Sequence, residues 1–274
     1  VRNSSGKPES YCLERWRCAL NNAHGIVGIS TTFIALGLFG CSNFNDDGEA
    51  SISNVVPAES GIDYALQFDG INDYATTGTA RFHMPVMPQT ISLWVKIAST
   101  TSDQDWVTLR RDADSGDEFG LAAGGLPTVW RVYGPTTLVQ SSTTLELNRW
   151  QFVAYVFDGT EHAIYVDGEL VGKGTNSGNN RSPTMSWLGT FDGTQKLYEG
   201  WLDELRIWSV ARAQAEIQND MVSGGPKVDP NLVAYFDFNE SGGQRAYDRS
   251  GNGNHASLGD GVPDCMPTRV LSDR

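Results

Sequence analysis

Tyr198-Glu-Gly-Trp-Leu-Asp-Glu-Leu-Arg-Ile-Trp208 is the most strand-like run in the chain that carries acids in its middle. Trp201, Leu205 and Ile207 share one parity, as expected of a strand with one buried face. Leu202 and Trp208 fall on the other parity. The strand is therefore either buried on both faces or bulged near Asp203–Glu204, and bulges often re-aim a side chain beside a site. Asp203 and Glu204 have three open roles at this point: catalysis, metal binding, or pairing with Arg206.

On either side of this stretch, short apolar runs are punctuated by Asp-Gly, Asn-Gly and Gly-Gly, and helical heptads are absent. That pattern predicts an all-β sandwich or barrel. The 274 residues carry a formal net charge of -13. Such acidity argues against nucleic acid as a partner, because phosphate contacts need clustered Lys and Arg. It equally argues against simple adhesion to anionic lipid.

Tyr64–Phe68 reads as a strand, followed by Asp69-Gly-Ile-Asn-Asp-Tyr74, a turn that crowds oxygen ligands into a few residues. Gln89–Ile97 alternates cleanly: Ile91, Leu93, Val95 and Ile97 on one face, and Ser92, Trp94 and Lys96 on the other. Asp105–Arg111 with Glu118–Ala122, and Thr128–Tyr133 with Thr137–Ser141, read as hairpins. Trp150–Phe157 is apolar on both parities and is placed centrally. Asp158-Gly159 and Asp167-Gly168 then turn a meander through His162–Val166 and Glu169–Lys173. Ala211–Val222 has the spacing of a single short helix, and Leu232–Phe238 reads as a last strand. Gly-rich coil is expected from Ser241 to Asp260, and a disordered tail over 259–274.

The N-terminal side reads as an address. Ile26–Gly40 is uncharged and too short to span a bilayer comfortably, but it has the length and flanks of a signal-peptide hydrophobic region. With Cys41 directly after it, the segment resembles a bacterial lipoprotein signal, although Phe39 is larger than that pattern usually has. The resemblance implies removal of residues 1–40, lipidation of Cys41, a flexible tether over 41–61, and an outer-membrane or cell-surface location held by the lipid anchor alone. Cys265 would then have no intrachain partner, and the fold would rest on its core rather than on disulfides.

Phe68–Tyr74, Trp150–Gly159, Ile164–Leu170 and Gly200–Trp208 are similar, in order, to the blocks of a laminin-G-like domain of the concanavalin A-like lectin/glucanase superfamily. Val210–Ile217 resembles the closing helix of such domains, and Leu232–Gly243 with Asp248–His255 resembles a segment that commonly follows it. The resemblance covers 62–258 and implies a jelly-roll sandwich of two antiparallel sheets with one short helix.

It also implies a calcium ion at the sandwich rim in many members, with Asp203 joining Asp69 or Asp73 as ligands. Glucanases of the superfamily use two carboxylates across the glycosidic bond. Here Asp203 and Glu204 are adjacent, so in a regular strand they face opposite sides, and no glycosidase activity is expected. The histidines are scattered, and His162 reads as structural. The expected function is a non-catalytic binding module, with a glycan or a cell-surface protein as partner. Trp94, Trp130, Tyr133, Trp187 and Tyr198 are the candidates for stacking on sugar rings, each weighed against simple core packing.

Overall fold

A computed structural model describes residues 62–77, 89–100, 104–110, 118–124, 129–133, 137–175, 185–223 and 229–274. The signal region, Cys41, the tether and residues 112–117, between the two strands of the first predicted hairpin, lie outside these residues.

Two antiparallel sheets stack face to face, as a jelly-roll sandwich requires. The first runs, edge to edge, β10 (Glu169–Gly174), β9 (His162–Val166), β8 (Trp150–Phe157), β3 (Gln89–Ile97), β12 (Glu199–Trp208), β1 (Tyr64–Asp69) and β16 (Thr268–Leu271). β13 (Leu232–Phe236) also pairs with β12, beyond the stretch that β1 covers. The second sheet runs β14 (Arg245–Ala246), β15 (Ala256–Leu258), β2 (Ala75–Thr76), β11 (Met185–Leu188), β4 (Gln104–Arg110), β5 (Glu118–Gly124), β6 (Val129–Tyr133) and β7 (Thr137–Thr144).

The core lies between the sheets. Leu66, Phe68, Ile91, Leu93, Val95, Val153, Tyr155, Leu202, Leu205 and Ile207 face it from the first sheet. Val107, Leu121, Trp130, Val132 and Leu188 face it from the second. Each such side chain contributes on the order of 2 kcal/mol when fully buried. His162 is buried, with Nδ1 2.8 Å from the Tyr155 hydroxyl.

β12 carries the bulge that its mixed parity signalled. Asp203 opposes Trp94 and Arg206 opposes Ser92, so β12 holds one residue more than β3 across this interval. The extra residue is Glu204, whose φ of 54 lies in the left-handed region. The bulge keeps Leu202 inward before it and Leu205 and Ile207 inward after it. It also puts Trp201 on the outer face, against the parity expected from Leu205. Gly200, just before Trp201, lets β12 pass close to β3: an added Cβ would sit 2.3 Å from the Lys96 carbonyl oxygen.

The helix α1 (Gln214–Val222) starts later than the spacing predicts. Ala213 has no side-chain acceptor to offer the first turn, and only the reverse bond of a capping box forms, with Glu216 Oε2 accepting from the Ala213 N–H at 2.8 Å. Arg212 donates to both oxygens of Asp220, at 3.0 and 2.8 Å, tying the entry of the helix to its last turn. Ile217 buries against Phe152, Ala154, Val156 and Ala163. The helix thereby covers one part of the first sheet's outer face and leaves the Trp94–Lys96 part to other groups.

Two expectations fail at the C-terminal side. The Ser241–Asp260 segment is not plain coil, since it contributes β14 and β15 to the second sheet. Residues 259–274 are ordered: β16 pairs with β1, and Val262 and Cys265 are buried against Tyr74 and Trp187. A four-residue strand has no period to read, and its pairing partner lies some two hundred residues away; what it does is cover the edge of β1. Cys265 is disulfide-bonded rather than unpartnered, and its partner lies outside the described residues.

Candidate functional site

Alternate positions of three neighbouring strands point away from the core on the first sheet, and register sets which of them meet. Lys96 opposes Trp150 on one side and Trp201 on the other, giving a row Trp150–Lys96–Trp201 across β8, β3 and β12. The next row is Phe152–Trp94–Asp203. Trp94, Lys96, Trp150 and Trp201 are all half-buried. Two strand spacings separate β8 from β12, or about 10 Å. The Lys96 ammonium lies 6.0 Å from the Trp150 ring centre and 5.0 Å from that of Trp201, within cation–π range of both.

Residues 272–274 lie over these rows. Asp273 accepts from Lys96 Nζ through Oδ2 and from Trp150 Nε1 through Oδ1, each at 2.6 Å. These two hydrogen bonds, Lys96 first, hold the Asp273 carboxyl below the usual range. Ser272 Oγ donates to Asp203 Oδ2 at 3.2 Å. The Arg274 guanidinium reaches Asp203 at 3.1 Å and Asp63 at 3.0 Å, and lies 5.7 Å from the Trp94 ring centre.

The bulge makes an acidic cluster beneath Arg274. Adjacent residues of a regular strand face opposite sides; with Glu204 in the left-handed region, Asp203 and Glu204 instead turn toward the same place. One oxygen each from Asp63, Asp203 and Glu204 lie within 4.8 Å of one another, the sole such acidic or metal-ligating trio among the described residues. Asp203 is fully buried and its Oδ1 has no hydrogen-bond partner. Burial pushes its carboxyl up to about 8, against the opposing pull of Arg274. Burial also raises Glu204, which is paired with Arg206 and accepts from the Tyr235 hydroxyl at 3.0 Å. The Glu204–Arg206 pairing is the one anticipated from the sequence.

Asp69 and Asp73 are elsewhere. Asp69 opposes Glu199, while Asp203 is four residues further along β12, about 13 Å away. Asp69 Oδ1 is spent on the Ile71 and Asn72 N–H groups, at 2.8 and 3.2 Å, and Asp73 Oδ2 on the Asp69 N–H at 2.9 Å. Burial, then the neighbouring Asp69 charge, raises the Asp73 carboxyl to about 7. Calcium needs six to eight oxygens at one point. Asp69, Asp73 and Asp203 do not fit it as a single site, because strand register keeps Asp203 apart from the other two.

The five aromatic candidates also separate. Trp130, at 1% exposure, packs edge-on to Trp106 at 5.0 Å, and Tyr198 is fully buried with its hydroxyl on the Lys96 carbonyl at 2.9 Å. Trp187 packs against Tyr74 at 5.4 Å within a buried cluster. These three rings belong to the core and offer no face to a sugar. Tyr133 is half-buried, its hydroxyl donating to buried Asp105 and the Lys196 ammonium 4.2 Å over its ring. Trp94 points outward, as its polar-face position suggested. Two outer-face indoles escape a reading of the sequence. Trp150 opens a strand that is apolar on both parities, and Trp201 has the parity of an inward residue until the bulge is counted.

The segment after β13 is built differently. Asp248 is fully buried and accepts from three backbone N–H groups: Tyr235 and Ser250 on Oδ1 and Asn254 on Oδ2, each at 2.9 Å. Asp237 pairs with Arg249 at 3.2 Å and Glu240 with Arg269 at 3.0 Å.

Comparison with known proteins agrees with this architecture. No curated protein matches the chain. Among solved structures, a candidate carbohydrate-binding protein from Bacteroides ovatus superposes with a TM-score of 0.60 at 19% identity, over 80% of this chain and 62% of that one. The chain thus spans less than two thirds of that protein's length. Domain 4 of AbnA, an extracellular arabinanase from Geobacillus stearothermophilus solved with arabinotriose, gives 0.47 at 18% identity, over 60% of this chain and 79% of that one. A heptameric SAP-like pentraxin from Limulus polyphemus gives 0.46 at 16%, over 57% and 80%. The first of these likenesses concerns the fold. The family model Laminin_G_3 matches residues 69–218, more than half of the sequence and all the strands that build the outer rows, so the chain belongs to the concanavalin A-like lectin/glucanases superfamily.

Proposed function

We propose that the domain is a non-catalytic carbohydrate-binding module whose binding surface is the outer face of the first sheet. The observation that carries this is the set of half-buried indoles, Trp94, Trp150 and Trp201, brought to one face by register. Flat apolar rings beside a hydrogen-bonding cation suit a sugar, which presents an apolar face and a polar rim. The lectin-type fold supports the same reading.

A glycosidase reading has less support. Asp203 and Glu204 face the same place through the bulge, but both are buried and each is held by an arginine. A catalytic pair must flank an accessible glycosidic bond. In this reading binding draws on indole faces and Lys96 rather than on a calcium ion.

A glycan array tests the proposal. The purified domain should give hits that Trp150→Ala and Trp201→Ala weaken about tenfold or more, with melting temperature largely kept. It should release no reducing sugar from polysaccharides. An array without hits would remove the carbohydrate reading and leave protein adhesion.

We further propose that lipid at Cys41 holds the module on the outer membrane or cell surface, a reading that rests on Ile26–Cys41 alone. It meets a specific competitor. Cys265 is disulfide-bonded, and the other cysteines are Cys12, Cys18 and Cys41, so the anchor requires that this bond be absent from the mature chain or run between chains. Mass mapping of membrane-extracted protein should find acylated Cys41. A Cys41–Cys265 peptide would exclude the anchor.

A further inference from the structure

We infer that the Trp150–Lys96–Trp201 row takes a saccharide bearing a carboxylate, a uronic or ulosonic acid residue, and that the Asp273 side chain holds the carboxylate's place until the sugar displaces it. The inference rests on the carbohydrate-binding reading above and narrows it.

The first support is chemical. A carboxylate is already seated on the row, one oxygen on the Lys96 ammonium and the other on the Trp150 indole N–H, both at 2.6 Å. Two donors of different type, fixed on adjacent strands, converge on the two oxygens of one planar group. The Lys96 side chain is 17% exposed with Asp273 in place, and its ammonium already answers one carboxylate. An uncharged sugar arriving at this row would not replace that pairing. An acidic sugar would replace Asp273 oxygen for oxygen.

The second support is geometric. The indoles of Trp150 and Trp201 flank the lysine, so a ring whose carboxylate reaches Lys96 lies beside flat aromatic surface. An extended acidic peptide would supply the carboxylate without using those surfaces, which favours a saccharide.

The third support is that the present occupant is exposed and sits outside the sheet. The Asp273 side chain is 67% exposed, and residues 272–274 lie beyond the end of β16 with no strand pairing of their own beyond the Ser272 N–H bond to the Asp63 carbonyl. Exposed ion pairs of this kind are weak and screened by salt. The site can therefore be vacated without unfolding the sheet.

The test is isothermal titration of the parent, Asp273→Ala, and Asp273→Ala combined with Lys96→Gln. The probes are trigalacturonate, its methyl ester, 3′-sialyllactose and lactose. Removing the exposed Asp273 carboxylate should strengthen binding of at least one acidic probe about tenfold and leave its uncharged counterpart unchanged. Adding Lys96→Gln should erase both the gain and the preference for acid. Matched melting temperatures and near-UV spectra establish that the variants are folded. The inference is overturned if Asp273→Ala leaves acidic binding unchanged, or strengthens acid and ester alike. Array hits on neutral glycans that neither substitution alters would sink this inference but keep the carbohydrate reading. No glycan hit for parent or variant would remove both. Binding of poly-aspartate to Asp273→Ala, with no acidic sugar bound, would identify the occupant as an acidic peptide and overturn the assignment to saccharide.

Discussion

Asp203 and Asp248 are both fully buried aspartates on the chain's late strands and turns, yet they are held in opposite ways. Asp248 is gripped by three backbone N–H groups that fold the turn after β13 around it. Asp203 has one hydroxyl and one guanidinium, both supplied by residues 272–274, and an oxygen with no partner. The backbone-bound carboxylate is a piece of scaffold. The other depends on a short segment laid over a sheet face, and its burial is offset only by what that segment brings. Acid residues read from sequence look alike; their roles divide according to whether main chain or side chain answers them.

Asp248→Ala should expose this contrast most visibly. It orphans three backbone donors at once, two of them buried and one half-buried, and the loss should reach about 3 kcal/mol in urea unfolding. A loss below about 1 kcal/mol would mean that water replaces the carboxylate. Arg274→Ala should be milder, about 1–2 kcal/mol near pH 8, because the guanidinium is only partly buried. The cost should shrink near pH 5, where Asp203 carries a proton in the folded state.

Asp203→Asn should act chiefly on pH dependence. With a folded value of about 8 against an ordinary 3.8, the folded state holds a proton that the unfolded state has released between those limits. The parent therefore loses stability as pH rises through that window. The asparagine variant should flatten this fall, measured as the difference in melting temperature between about pH 5 and about pH 8. A slope left unchanged would assign the effect to Asp73, raised to about 7. Asp73→Asn is then the variant that should flatten it.

The sandwich was legible because its strands carry their own signals. Gln89–Ile97 alternates, Trp150–Phe157 is apolar on both faces, and Asp-Gly turns separate strands of the meander. The site was legible only in part. Trp94 stood out as an aromatic on a polar face, and mixed parity at Asp203–Glu204 marked the bulge. Trp201 was hidden because parity counted across a bulge misleads by one residue. Asp69 and Asp203 read as compatible with one ion because sequence carries no register, and four residues along a strand suffice to separate them. Asp273 could not have been found locally, since its importance comes from a distant strand edge and from a lysine and a tryptophan that alternating patterns treat as ordinary surface.

The bulge has a consequence for how such a strand can change. Leu202 faces in, Asp203 out, Leu205 in and Arg206 out, so excising Glu204 would leave the inward and outward sequence of β12 intact. Glu204 thus behaves as an insertion that the ladder tolerates without shifting the core. Its deletion would relieve a left-handed backbone position costing about 1–3 kcal/mol. It would also strip buried Arg206 of the carboxylate with which it pairs. The two acids at this place are therefore separable: Asp203 belongs to the ladder of the strand, and Glu204 is the residue added to it, kept there by its pairing with Arg206.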